Sequence, residues 1–161
     1  MNDQIADFCP QKRNAVRAVI LRDNMLLVQR KVNRGGNVRL TLPGGGSKTG
    51  ETLQQSLHRE CKEEIGADIE VHRLMHVADY FKKRRTNPPT VRHQIEFVFR
   101  CSVSDTYIAS NGIRPDKNQQ DVLWLDLDSQ MVDLLWPDSW QRILQDDFAK
   151  APVYLGLIDS R

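Results

Sequence analysis

Leu42-Pro43-Gly44-Gly45-Gly46-Ser47-Lys48-Thr49-Gly50-Glu51, running on into Arg59-Glu60-Cys61-Lys62-Glu63-Glu64-Ile65-Gly66-Ala67, sets a glycine-rich turn directly before a helix dense in carboxylates. Thr52, with Gln55 three residues later, is a capping-box pattern that starts this helix. Gly66 is a suitable residue just past its end. At about 100° per residue, Leu53, Leu57, Cys61 and Ile65 form one apolar stripe, and Glu60, Glu63 and Glu64 share the adjoining face. Neighbouring acids repel one another, and a hard cation offsets that repulsion. Mg²⁺ or Mn²⁺ takes oxygen ligands at roughly 2.0–2.1 Å and keeps several waters. Such ions bridge phosphate oxygens and neutralise developing charge. Taken alone, the triplet reads first as a solvated acidic face balanced by Arg59 and Lys62.

The spacing carries more information than the triplet. Gly45, five residues, Glu51, seven residues, Arg59-Glu60-Cys61, one residue, Glu63-Glu64, one residue and Gly66-Ala67 together resemble the Nudix (MutT-like) box over positions 45–67. Every fixed Gly, Glu and Arg of that signature is present, and Leu42-Pro43-Gly44 before it is also typical. The departures are Cys61 and Ala67, small residues at its two bulky aliphatic positions.

The resemblance implies an α/β (α+β) fold, an α/β/α sandwich with a mixed sheet between helices, as one domain over 1–161. It implies a pyrophosphohydrolase dependent on Mg²⁺ or Mn²⁺, acting on a nucleoside diphosphate linked to another moiety. Carried over by position, Glu60 and Glu64 would be the principal metal ligands. Glu63 would be an accessory or water-mediated ligand, and the Gly44 carbonyl a further one. Gly45, Glu51 and Arg59 would be structural, with Arg59 pairing Glu51 to orient the carboxylates. Related hydrolases often supply another glutamate from a late loop. Between Asp116 and Asp121 this chain has Asn118, Gln119 and Gln120 instead, which leaves Glu64, Glu63 and Glu96 as candidates for the general base.

Other phosphate and catalytic signatures fail. A P-loop needs Gly-Lys-Ser/Thr where Gly50 is followed by Glu51-Thr52. A dinucleotide fingerprint from Gly44, or a nucleophile elbow around Ser47, needs glycine at Thr49. His72 and His76 lie on an alternating stretch, Asp68 to His76. Four steps of about 3.3 Å would separate them by roughly 13 Å, too far to share one zinc.

Composition fits a compact enzyme. The chain has 161 residues and a net charge of +2, which provides no global field for nucleic acid. No apolar run reaches membrane-spanning length, and Met1 to Pro10 holds acids rather than a signal core. Cys9, Cys61 and Cys101 form no Cys-x-x-Cys pair, so reduced thiols in a cytoplasmic protein are expected, with Cys61 in the core.

Around the helix the pattern is strand-rich. Ala15–Leu21 and Met25–Lys31 read as a hairpin, Arg39–Leu42 as a short strand, Asp68–Tyr80 and Val91–Val103 as a longer hairpin, and Asp121–Leu125 as a late strand. Phe81–Thr90 is expected to be an exposed loop, with Asn87-Pro88-Pro89 after the basic run Lys82-Lys83-Arg84-Arg85. Arg84, Arg85 and Arg92, with His93, are candidates to grip substrate phosphates or a distal group, against a plain solvated turn. Trp140–Lys150 reads as an amphipathic helix packing Trp140, Ile143, Leu144 and Phe148 inward. Glu96, within Ile95-Glu96-Phe97-Val98-Phe99, is either a solvent group on an edge strand or a retained site residue. Trp124, Trp136 and Trp140 sit in apolar contexts that favour burial over a stacking surface. Ile20, Leu27 and Val98 line either the interior or an interface, so a homodimer is compatible with the sequence. A small-molecule nucleotide is the expected partner. A 5′-end RNA pyrophosphohydrolase and a non-catalytic nucleotide sensor are the alternatives, although no aromatic interleaving marks the basic run as a base-stacking platform.

Overall fold

A computed structural model of the chain describes residues 8–145 and 150–158. Most of Met1–Pro10, and Phe148, therefore lie outside the described residues. In chain order the elements are β1 (Arg13–Arg22), β2 (Met25–Val32), β3 (Val38–Thr41), β4 (Gly44–Gly46), α1 (Leu53–Ile65), β5 (Glu70–Arg84), β6 (Thr90–Ser102), β7 (Gln119–Asp126), a 3-10 turn (Gln130–Leu134), α2 (Ser139–Gln145) and β8 (Tyr154–Ile158).

The strands form a mixed sheet in the order β3-β2-β1-β6-β5-β8, with β4 added beside β1 and β7 beside β2. β1 runs parallel to β6 and β5 parallel to β8, whereas β5 and β6 form the long antiparallel hairpin. The expected β1–β2 hairpin is real only at its tip, where Leu21 faces Leu26 and Arg22 faces Met25. Farther along, β4 takes the β1 edge through Ala15↔Gly46, Val16↔Gly45 and Arg17↔Gly44, while β2 turns to β3 and β7. One strand edge holds one hydrogen-bonded neighbour, so inserting β4 forces β1 and β2 apart. A cleft opens in that split.

Two apolar clusters flank the sheet. On one side α1 buries Leu57, Cys61 and Ile65 against Val16, Ala18, Ile20, Phe99 and Cys101. Full burial of a leucine or isoleucine contributes about 1.5–3 kcal/mol, so this stripe anchors the helix. Cys61 and Ala67 are both buried there, beside Cys101. On the other side, Trp140 of α2 joins Val19, Leu26, Val28, Met75, Tyr80 and Val98. Ile20, Leu27 and Val98 are thus interior residues of a single chain. All three cysteines are free. Among the described residues, no helix is long and apolar enough to cross a membrane.

Local signals for α1 hold in detail. Thr52 Oγ1 accepts from the Gln55 amide at 3.1 Å and Gln55 Oε1 accepts from the Thr52 amide at 2.8 Å, while Gly66 takes the left-handed conformation at φ 63°.

The basic run differs from expectation. β5 continues through Arg84, with Lys82 opposite Arg92 and Arg84 opposite Thr90, so the connecting turn starts at Arg85. Long antiparallel pairing carried the strand past the residues whose composition suggested a loop. β5 also carries register shifts between Val71 and Arg73 and between Leu74 and His76, so the regular alternation expected there is broken. His72 Nε2 lies 2.7 Å from Ser102 Oγ, and His76 Nδ1 lies 2.9 Å from the Pro152 carbonyl.

Candidate active site

The site is built where α1 meets the glycine strand. Glu60 and Glu64, one turn apart, face a cleft of about 210 Å³ lined also by Arg13, Arg17, Lys31, Gly44, Gly45, Gly46, Lys82, Gln94 and Asp116. Glycine is required at two of these positions for different reasons. Gly44 has φ +137°, and a Cβ there would lie 1.9 Å from the Val16 carbonyl oxygen. Gly45 leaves room for the Glu60 carboxylate, whose atoms would lie 2.7–2.8 Å from an added Cβ.

Glu64 is buried, and its Oε2 accepts from Gln29 Nε2 and, at 3.2 Å, from the Gly44 amide. Burial raises its carboxyl above the ordinary value, against the pull of Lys31 and these donors. Arg59 ties the neighbouring acids together. Its Nε donates to Glu51 at 2.6 Å, its Nη1 to Glu60 at 2.8 Å and Glu63 at 3.4 Å, and its Nη2 to the Gly46 carbonyl at 3.1 Å. The Arg59 bonds, with the Lys48 amide and the Ser56 hydroxyl, hold the Glu51 carboxyl down at about 2. Glu51 and Arg59 thereby fix the glycine strand to the helix.

A cationic wall faces the acids. Arg17 projects from β1, Lys31 from β2 and Lys82 from β5, and these three with Asp116 also line a second, adjoining cleft of about 350 Å³. Arg17 bonds Glu96 Oε2 at 2.9 Å and the Gly44 carbonyl at 3.0 Å. Lys31 pairs with Asp116 at 2.5 Å. Burial would raise the Asp116 carboxyl, but Lys31 outweighs it and the carboxyl lies below its ordinary value. The Lys82 ammonium is lowered by burial and then by Arg17 and Lys31. The second cleft is walled by Tyr80, Trp136 and Trp140, with the Arg39 guanidinium 3.7 Å over the Trp136 ring.

The residues expected from the sequence divide accordingly. Glu60, Glu64, Gly44 and Gly45 meet in the cleft. Glu63 does not line it; its carboxylate is turned to Arg59 and, at 3.8 Å, to Arg114. Glu96 is 3% exposed on β6, which lies between β1 and β5, so it is not an edge-strand group. It lines the second cleft. Arg84, Arg85 and Arg92 line neither cleft, and Arg84 Nη1 donates to Cys9 Sγ at 3.8 Å. Trp140 is core, Trp124 is half-buried beneath Arg22, and Trp136 is half-buried on the cleft wall rather than interior.

Sequence reasoning missed Arg17, Gln29 and Lys31. For the first two the signal was a polar residue within or ending an apolar run, Ala15-Val16-Arg17-Ala18-Val19 and Leu26-Leu27-Val28-Gln29, whereas Lys31 follows Gln29-Arg30 and carried no such signal. A buried polar side chain needs a partner, so each such position implies one.

Among the described residues no three His, Cys, Asp or Glu side chains are close enough to cage a metal ion. The donor set still suits a magnesium-like cation, which is usually held by one or two carboxylates with water and substrate phosphates completing its shell. Glu60 and Glu64 supply the carboxylates. The Gly44 carbonyl already accepts from Arg17 and has a second lone pair.

The arrangement, an acid pair facing cations across a narrow cleft, is carried on a mixed sheet with α1 docked to a glycine strand. The NUDIX domain family model matches residues 11–144, and the chain belongs to the Nudix hydrolase family. A Bacillus subtilis (strain 168) protein, YjhB, provisionally named an ADP-ribose pyrophosphatase, is 31% identical over 96 residues, 60% of this chain and 44% of that protein. The match thus spans less than half of that relative. A Nudix hydrolase structure from Nitrosomonas europaea superposes with TM-score 0.67 at 20% identity, over 96% of this chain and 86% of its own. A MutT Nudix hydrolase structure from Burkholderia pseudomallei is 27% identical with TM-score 0.54, over 74% of this chain and 86% of its own.

Proposed function

We propose that the protein hydrolyses the pyrophosphate bond of a nucleoside diphosphate linked to another moiety, with a divalent cation. The observation that carries this reading is the pairing in one cleft of Glu60 and Glu64 with the wall of Arg17, Lys31 and Lys82. Carboxylates alone repel phosphate, and cations alone would bind it without activating it. The kinship to a relative named for ADP-ribose pyrophosphatase activity supports the same substrate class.

Glu60 and Glu64 would hold Mg²⁺ or Mn²⁺, which would neutralise charge developing on the phosphates. Gln29 and the Gly44 amide keep Glu64 aimed into the cleft. Arg17, Lys31 and Lys82 grip the phosphate oxygens and stabilise the leaving phosphate. Asp116, held ionised beside Lys31, is the third acid of the cleft and is not needed to hold the cation; it takes the proton of the attacking water. Glu63 lines neither cleft and Glu96 lines only the adjoining one, so neither is assigned that role. The second cleft receives the nucleoside, with the Trp136 ring and Arg39 as its flat surface.

ADP-ribose, a nucleoside triphosphate and UDP-glucose are each incubated in Mg²⁺, in Mn²⁺ and in EDTA, and the phosphomonoester or pyrophosphate products are read as phosphate after coupling to a phosphatase and a pyrophosphatase. Turnover should vanish in EDTA, return with metal and be lost in Glu64→Gln with the thermal transition intact. Turnover without metal, or full activity of Glu64→Gln, would overturn the assignment.

A further inference from the structure

The segment between β6 and β7 closes the C-terminal end of α1. The last carbonyls of a helix have no partner within it, and here they are served from outside. The Glu63 carbonyl accepts from the Arg114 amide at 2.8 Å, the Glu64 carbonyl from the Gly112 amide at 3.0 Å, and the Ile65 carbonyl from the Tyr107 hydroxyl at 2.6 Å. A further donor is a side chain. Gln119 Nε2 donates to the Glu64 carbonyl at 2.8 Å and to Asn111 Oδ1 at 2.9 Å, while Gln119 Oε1 accepts from the Asp116 amide at 3.2 Å. One carboxamide thus spans the main chains of two acids of the cleft, Glu64 and Asp116. The Gln119 amide also donates to the Asp116 carbonyl at 2.9 Å, closing a turn in which Asn118 has φ 72°. Strand register explains the placement. Arg30 faces Asp121 whereas Lys31 faces Gln119, so Gln120 is an extra residue in β7. A bulge of this kind re-aims the side chain beyond it. Gln119 and Val122 are three apart, a spacing that regular alternation would send to opposite faces. The bulge returns Gln119 to the face where Val122 joins the α1 cluster, and Gln119 is only 8% exposed there.

We propose that Gln119 is a positioning residue, which sets the Asp116 carboxylate at a fixed spacing from Glu64 so that Asp116 can take the proton of the attacking water. This inference rests on the hydrolase reading above and deepens it. Gln119 lines neither cleft, so it acts through its neighbours rather than on the substrate. The Lys31 pair ties Asp116 to β2, and Gln119 ties it to the helix. Capping alone does not account for the arrangement. The Gly112 amide already serves the Glu64 carbonyl, and what Gln119 adds is the bond to the Asp116 amide. A carbonyl oxygen has two lone pairs and accepts both donors. Water reacting beside Glu64 must also reach Asp116, so a looser spacing between them lowers the rate of the chemical step and leaves substrate binding nearly unchanged.

Gln119→Met keeps the side-chain volume and removes both ends of the carboxamide. It is assayed in Mg²⁺ with whichever of ADP-ribose, a nucleoside triphosphate and UDP-glucose turns over fastest. It should lower kcat about tenfold and move KM less than about twofold, since a displacement near 1 Å costs about 10²-fold in rate. Added to Asp116→Asn, it should lower kcat less than about twofold further, because residues that act as a unit are not additive. Tyr107→Phe removes a donor from the same helix end without touching Asp116, and its kcat should stay within about twofold of the parent. Circular dichroism melting should place both single variants within a few degrees of the parent. Hydrogen exchange followed by NMR on the parent protein tests the bond whatever the variants do to the fold: the Asp116 amide should exchange about tenfold or more slowly than an unprotected one. An unprotected Asp116 amide, full kcat in Gln119→Met, an equal loss in Tyr107→Phe, or an undiminished loss in the Asp116→Asn background would overturn the positioning role and leave the hydrolase reading standing. Full kcat in Asp116→Asn would remove the proton acceptor and the positioning role with it. No turnover of any of the three substrates with metal would instead bring down the hydrolase reading itself.

Discussion

Alanine at two neighbouring glycines should separate folding from function. At Gly45 the new Cβ would lie 2.7 Å from the Glu60 carboxylate, against roughly 3.4 Å for an ordinary contact, so the carboxylate must retreat by about 0.7 Å. The obstacle is the far end of a flexible side chain and the position needs no left-handed backbone, so folding should change by less than about 0.5 kcal/mol. The catalytic cost is larger, because a displacement near 1 Å in an active site can remove about two orders of magnitude of rate. Scaled to this shift, kcat/KM should fall about 10- to 100-fold, about 1.4–2.7 kcal/mol in the barrier, with a higher metal concentration at half-activity. At Gly44 the obstacle is the Val16 carbonyl at 1.9 Å and φ is +137°. Backbone strain there costs about 1–3 kcal/mol and the clash a similar amount, so Gly44→Ala should melt far lower. The assay is metal-titrated, phosphatase-coupled product release beside urea unfolding of both variants. If Gly45→Ala keeps full activity at limiting metal, Glu60 is not seated where its contact with Gly45 matters. If both variants unfold alike, the distinction between side-chain and backbone obstacles is wrong.

Acid should weaken the anchoring of the glycine strand before it weakens the core. The Glu51 carboxyl is depressed from 4.5 to about 2, chiefly by Arg59, so its stabilisation is full above about pH 4.5 and lost as the pH falls from there toward 2. Urea midpoints should therefore drop more steeply over that window than those of Glu51→Gln; parallel curves would show that the Arg59 pair contributes nothing. Trp136→Ala should raise KM for a nucleotide about tenfold with kcat less affected, by loss of base stacking worth about 1–3 kcal/mol. An unchanged KM would take the nucleoside out of the second cleft.

The helix Leu53–Ile65 was legible from the chain because its determinants are local. A capping box, a terminal glycine and a stripe at helical spacing all act within a few residues, and each took its expected form. The glycine run and the acids were legible for the same reason, their spacing along one helix fixing which carboxylates are neighbours. Strand interiors such as Ala15–Leu21 and Met25–Lys31 were also readable from their apolar pattern, although the partners of those strands were not. The cationic wall depended on the tertiary structure. Arg17, Lys31 and Lys82 come from three strands, and only the insertion of β4 beside β1, with the resulting split from β2, turns them toward Glu60 and Glu64. Register is a non-local property, and a slip of one residue would send each of these side chains to the opposite face. For the same reason the carboxylate of Glu96 found Arg17, the basic run became strand rather than loop, and Trp136 came to stand at a cleft instead of in the core.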